Sequence, residues 1–206
     1  MDRVIELVIG AALAASAGLN AWMPLFLLGL ADRLLPAVEL PDGWSWLSSD
    51  VALWIVGALL LLEIVADKIP ALDSVNDVVQ SILRPAAGGI AFGAGSSART
   101  IAVDDPGSLM TESTWLPVAA GIVVALVVHI AKATARVAAN AMTAGVAAPV
   151  LSTVEDGASF ALAVTAIIVP AVAAILLIVL VAMVIVLVRR RARRRRDRVA
   201  SQAPDS

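Results

Sequence analysis

Residues 115–145, WLPVAAGIVVALVVHIAKATARVAANAMTAG, hold the two signals that decide the fold. Trp115 opens a span that runs apolar to Val128 and turns polar at His129. His129, Lys132, Arg136, Asn140 and Thr143 then follow at spacings of 3, 4, 4 and 3. Those spacings put all five on one stripe of an α-helix. A charged stripe beside an apolar face cannot point at lipid, where a charge costs several kcal/mol. It must face protein, water or headgroups.

The rest of the chain supports a membrane reading. Apolar residues make up 60% of the 206, and the charged share is 16%, below the roughly 25% of globular proteins. One soluble core of this size could not hide that much apolar surface; lipid can cover it. The sequence therefore predicts an all-α, polytopic helical membrane protein with about five apolar segments. Cysteine and tyrosine are absent and histidine occurs once. Disulfides, thiolate chemistry and a zinc or haem site are thus not expected, and no metal or cofactor is assigned.

Residues 1–188 read as a single transmembrane domain and 189–206 as a basic cytoplasmic tail. The leading segment, 4–31, is apolar from Val4 to Leu30 but interrupted by Gly18, Asn20 and Pro24. A proline and a buried amide there predict a kinked helix or two half-helices, of the kind that line binding cavities. A signal peptide ending near Ala15-Ser16-Ala17 competes, although Glu6 intrudes early. Trp44 and Trp46 in the loop from Asp32 to Asp50 fit the headgroup belt. The second span is Val51–Ala66, with Glu63 one turn before Asp67.

Ile69–Arg84 reads as a proline-led amphipathic helix with Leu72, Val75, Val79 and Ile82 on one side. Pro85–Val103 is a separate, weakly apolar segment in which Gly89 and Gly93 form a GxxxG pair for helix packing, and a homo-oligomer contact is one use for it. Ala158–Val188 is the last and most apolar span, interrupted by Pro170.

Two octapeptides align, PALDSVND at 70–77 and PVLSTVED at 149–156. Each lies between apolar segments, so the chain reads as the leading segment plus two helical hairpins, about 51–103 and 115–188. These form an internal repeat with broken or re-entrant elements, and transporters often bind their substrate where such repeats meet. The repeat loops supply Asp73, Asp77, Glu155 and Asp156, and the second span supplies Glu63 and Asp67. The basic stripe is expected to meet some of these carboxylates in a shared pocket, since buried charges persist when paired.

Eight of the fifteen basic residues lie in Arg189–Arg198. Directly after a span, they act as a positive-inside signal that puts the C-terminus in the cytoplasm of a cell membrane. They also attract anionic lipid headgroups. Nucleic-acid binding is not expected, for no folded or aromatic module accompanies the charge. Five crossings would put the N-terminus outside and the loop Asp104–Thr114 inside. A re-entrant first segment would instead leave both termini cytoplasmic.

Several of these stretches together resemble a known bacterial membrane family, the domain of unknown function 4126. They are Ser16-Ala-Gly-Leu-Asn20 with Pro24, then Glu63-Ile-Val-Ala-Asp-Lys-Ile-Pro70 with Asp73 and Asn76-Asp77, then Arg84-Pro85-Ala-Ala-Gly88. His129 with Lys132, Arg136 and Asn140, Thr143-Ala-Gly145, and Pro149 with Ser152 and Glu155-Asp156 continue it. The resemblance implies an integral membrane protein and carries no activity or catalytic residues.

For function, the residues point to a small transporter or channel-like protein. Its cavity for a small polar or ionic solute would be lined by Asn20, Glu63, Asp67, His129, Lys132, Arg136 and Asn140. The alternative is a non-transporting scaffold or lipid-organising protein whose buried charges are structural. An enzyme is not expected, because no nucleophile motif or metal-ligand spacing accompanies the carboxylates.

Overall fold

The computed structural model describes residues 2–103, 115–143 and 146–200, with side chains except those of 70–77, 187–188 and 190–200. The described residues are all-α, with no strand: α1 (Asp2–Leu19), α2 (Met23–Leu34), a 3-10 turn (Ser45–Ser48), α3 (Asp50–Ala66), α4 (Pro70–Ser96), α5 (Trp115–Thr143), α6 (Ala148–Ile168) and α7 (Pro170–Ala200).

The interruptions have local causes. Asn20 ends α1 and starts α2, because its Oδ1 accepts from the backbone N–H groups of Trp22 and Met23 at 3.2 and 3.1 Å, as an N-cap side chain does. Pro24 follows in the first turn of α2, where its missing N–H costs nothing. Ser49 caps α3 by accepting from Ala52 N at 3.2 Å, and prolines open α4, α6 and α7.

α1 is the centre of the bundle, packed by α4, α5, α6 and α7. Its run Ala12-Leu-Ala-Ala-Ser-Ala17 is wholly buried, and the small side chains let neighbours come close. Gly10 lies under the Phe92 ring and Gly18 against Ala125 O and Val128. The tightest approach joins α4 to α5, where a Cβ on Gly88 would run into Ala125 and one on Gly121 into the Gly88 carbonyl.

Pairings along the helices fix their directions. Asn20 meets Asp156 and Ser16 meets Ser159, while Val4 and Ile5 share a cavity with Ile168, so α1 and α6 are antiparallel. α2 then folds back along α6, with Leu27 and Leu34 facing Val164 and Ile168. One end of the bundle therefore gathers Trp44, which sits against Gly93, with Trp115, the start of α1 and the end of α2. The opposite end holds the α3–α4 and α5–α6 turns. α7 starts beside Val4 and passes Leu19 at Leu180 and Met183, so it exits there too. We call these the tryptophan end and the tail end.

Several expectations need correction. α4 runs unbroken through Pro85, so 69–84 and 85–103 are not separate elements. Its expected apolar side is turned out, with Val79 and Ile82 exposed; the buried stripe is Gln80, Arg84, Ala87, Ala91 and Ala94. Leu72 and Val75 lie outside the described side chains. The segment 158–188 is two helices meeting at Val169, and α6 starts at Ala148. Both octapeptides form the first turns of helices rather than loops, since Pro70 and Pro149 suit that position. Within the expected hairpins α3 packs little on α4 and α5 little on α6, whereas α6 packs on α7. α1 holds the helices together instead.

By length and composition, α5 and α6 could each cross a membrane, and Pro170–Val186 is a shorter apolar stretch. Large apolar side chains face outward on α3 (Trp54, Leu61, Leu62), α5 (Val123, Ile130) and α7 (Ile178).

An ion-pair cluster at a helix break

Four helices converge on the gap between α1 and α2. Burial of Val56, Leu60, Glu63 and Asp67 follows the inward face of α3, so both acids of its last turn reach the interior. From α4 comes Arg84, from α5 His129, Lys132 and Arg136, and from α6 Glu155 and Asp156. The break at Asn20 exposes backbone groups that no helix satisfies.

Charged side chains fill both halves of that need. Lys132 Nζ donates to Leu19 O, the open carbonyl end of α1, at 2.7 Å. Ala21 N donates to Glu63 Oε2 at 3.1 Å. A cation thus sits at a helix C-terminus and an anion at the following N–H, the signs the helix dipole favours.

The remaining contacts close a network. Arg84 donates to Glu63 Oε1 at 2.9 Å and stands 3.6 Å from Asp67 Oδ2. Lys132 bonds Asp67 at 3.1 Å and Glu155 at 3.2 Å. Arg136 donates through Nε to Glu155 Oε2 at 3.0 Å and through Nη2 to Asp67 Oδ2 at 3.0 Å and to Glu155. Three acids, Glu63, Asp67 and Glu155, thereby face three bases, Arg84, Lys132 and Arg136. The desolvation of each charge is offset only while its partners stay in place, so the cluster holds or opens as a unit.

Arg84 Nη1 lies 3.0 Å from His129 Nδ1. A guanidinium can only donate, so Nδ1 accepts and the ring proton is on Nε2, 3.2 Å from Ser81 Oγ. Asn20 Nδ2 donates to Asp156 Oδ1 at 3.0 Å. Lys68 then pairs with Asp156 Oδ2 at 3.4 Å, and its side chain is 38% exposed against 1% for Lys132. Exposure therefore rises toward the tail end.

Of the residues singled out in the sequence, Asn20, Glu63, Asp67, His129, Lys132, Arg136, Glu155 and Asp156 come together. Asn140 does not join; its Oδ1 is buried without a partner. Thr143 caps the α5–α6 turn, donating to Ala139 O and accepting from Ala147 N. The side chains of Asp73 and Asp77 lie outside the described residues. Gly89 and Gly93 pack within the chain, on Val118, Ile122 and Trp44.

Arg84, wholly buried, is the member that sequence reasoning left out of the site. Reading Pro85 as a boundary put Arg84 at the edge of a surface helix. The spacing of Gln80, Arg84 and Gly88, four residues apart each time, was the available signal. Lys68, Ser81 and the two backbone groups at the break were also missed.

A cavity of about 210 Å³ between α1, α5, α6 and α7 touches the cluster at Lys132 and Glu155, and its other walls, such as Leu151, Leu180 and Met183, are apolar. Among the described residues no group of three or more acids or histidines is placed to hold a metal ion.

Neither curated proteins nor solved structures provide a match to this chain. The model of one family, Domain of unknown function (DUF4126), matches residues 7–190, which takes in α2 to α6 whole, most of α1 and α7, and every member of the cluster. The chain belongs to the DUF4126 family.

Proposed function

We propose that this is a polytopic membrane protein in which α3 to α7 cross the bilayer and α1–α2 form a re-entrant hairpin. The outward apolar side chains of α3, α5 and α7 favour this, because soluble surfaces rarely carry such contiguous patches. The tail end then faces the cytoplasm. It carries Lys68 and the arginine run, whereas the tryptophan end carries the acidic loops, as the positive-inside bias requires.

Within that frame the protein is a small transporter or channel-like protein for a small polar or ionic solute, seen with its site closed. One observation carries this reading: a discontinuous helix whose open carbonyl and N–H ends are held by Lys132 and Glu63. Helix breaks near the bilayer interior with ionisable partners mark solute and ion sites. From Trp115 to Lys132 is about 25 Å of helix, which puts the cluster in the cytoplasmic half of the bilayer.

The test is flux into liposomes holding the purified protein, using protons, alanine and succinate as probes. Flux of at least one probe above that of protein-free liposomes is expected. It should fall when Arg136 and Glu155 are both changed to glutamine, which removes a pair without stranding a charge. A folded protein that passes none of the probes rejects this reading.

The second reading, a scaffold whose charges are structural, is favoured by the use of all three Lys132 donors on Leu19, Asp67 and Glu155. It predicts that the double glutamine variant changes stability and nothing else.

A further inference from the structure

One turn from the cluster, always toward the tail end, three helices carry a buried polar atom with no partner among the protein's own groups. They are Gln80 Oε1 on α4, Asn140 Oδ1 on α5 and Ser152 Oγ on α6. Gln80 precedes Arg84 by four residues, Asn140 follows Arg136 by four and Ser152 precedes Asp156 by four. A four-residue step keeps a side chain on the same helix face, so each points inward just beneath a cluster residue. Gln80 and Ser152 are 2% and 0% exposed.

Buried polar atoms nearly always have a hydrogen-bond partner, of the protein or of water. Three failing together between the cluster and the tail end, on helices that run in alternating directions, is a property of that side of the bundle rather than of one side chain. Gln80 lies beside Ser81 at the level of His129, and Asn140 is about 16 Å of helix further toward the tail. At the tryptophan end Thr100 Oγ1 is also buried without a partner, but between it and the cluster the packing leaves no room, for Gly18, Gly88 and Gly121 meet Ala125, Val128 and backbone with no space for a Cβ.

We propose that Gln80, Asn140 and Ser152 line a water-holding vestibule that joins the ion-pair cluster to the tail end, while the tryptophan side is sealed. Water is the occupant because the three side chains offer two amide oxygens that accept and one hydroxyl that accepts or donates, with no charge of their own. The cluster is then reached by water from the cytoplasm alone. This rests on the membrane orientation proposed above and not on solute flux, so a protein that passes no solute but shows the vestibule leaves it standing.

The described residues contain no cysteine, and neither does the rest of the chain, so single thiols report access. Ser152→Cys probes the vestibule, and Ala91→Cys, on the inward face of α4 on the sealed side, is the reference. Inverted membrane vesicles are treated with Ag⁺, and thiols left unreacted are counted with a maleimide after denaturation. Ser152→Cys should react roughly tenfold faster than Ala91→Cys, because a thiolate forms only where water reaches it. It should also react faster in inverted than in right-side-out vesicles. Equal rates for the two thiols, or faster reaction in right-side-out vesicles, overturn the proposal.

If Ser152→Cys does not fold, melting of Ser152→Ala decides instead. Deleting a dry, unpartnered hydroxyl raises Tm, because the desolvation penalty disappears. Deleting a hydrated one leaves Tm unchanged or lower. A raised Tm overturns the vestibule, and an unchanged or lowered one supports it.

Discussion

Lys132 has three ammonium protons and three acceptors, at Leu19 O, Asp67 and Glu155. Lys132→Met keeps the stem and removes the charge, stranding two carboxylates and the carbonyl end of α1. Breaking a buried pair this way costs about 3–5 kcal/mol, so a large drop in Tm and in membrane abundance is expected; an unchanged Tm would mean that water takes over the contacts. Arg136 and Glu155 allow a cleaner measurement, because both can be neutralised. Arg136→Gln and Glu155→Gln singly should each destabilise, and the double variant should lose less than their sum, with a coupling of about 1–3 kcal/mol in a thermal or denaturant cycle. Strict additivity would show that the pair contributes nothing beyond its separate contacts. Both residues were legible from spacing alone, since steps of 3 and 4 along α5 define a face. Their partners were less so. Glu63, Asp67, Glu155 and Asp156 could be named as candidates, but which acid meets which base depends on where α1 sits, and no local pattern encodes that.

Helix contacts depend on what glycine leaves out. Gly121→Ala would drive a methyl group into the Gly88 carbonyl and Phe92, so α5 must move off α4, and the bonds from His129 to Arg84 and Ser81 lengthen with it. A loss of about 1–3 kcal/mol is expected, as for an overpacked core. Gly157→Ala is the control. It meets nothing within 4 Å on α6 and should stabilise by about 0.5–1 kcal/mol through helix propensity. If both variants melt alike, the α4–α5 contact is loose. The same contact explains what the sequence hid at this scale. α3 was readable almost to the residue, because an apolar run between Ser49 and Asp67 has a clear start and stop. α4 was not, because Pro85 looks like a boundary and yet lies inside a helix whose neighbours α1 and α5 hold it straight through. α6 was read ten residues short because Ser152, Glu155 and Asp156 look like a loop, although they are the inward polar face of its first turns. Proline at a helix start and proline within a helix are the same letter, and only packing separates them.

At the scale of the whole molecule, the membrane arrangement proposed above would remove an inconsistency in the sequence reading. With the leading segment as a crossing, five crossings put the acidic stretch 104–114 on the same side as the arginine tail. Folding α1–α2 back on itself removes that crossing, and splitting 158–188 into α6 and α7 adds one. The end of α4 and the start of α5 then lie at the tryptophan end, and the tail leaves from the other. Charge agrees with this arrangement: Arg33 and Arg99 at the tryptophan end are each paired with an acid, Asp50 and Glu39, so little net positive charge is left there. Two exposed positions can test it directly. Gly43, with nothing within 4 Å of a Cβ, belongs to the tryptophan end, and Val146, 78% exposed, belongs to the tail end. In intact cells with a permeabilised outer envelope, an impermeant maleimide should label Gly43→Cys and spare Val146→Cys, and in inverted vesicles the preference should reverse. Labelling of both from one side would remove the membrane arrangement altogether, because a soluble bundle exposes both ends equally. Reversed sidedness would keep the bundle but turn it over, leaving the arginine tail outside against the positive-inside bias. The cluster would then be reached from outside the cell, and the direction of any flux through it would invert with the fold.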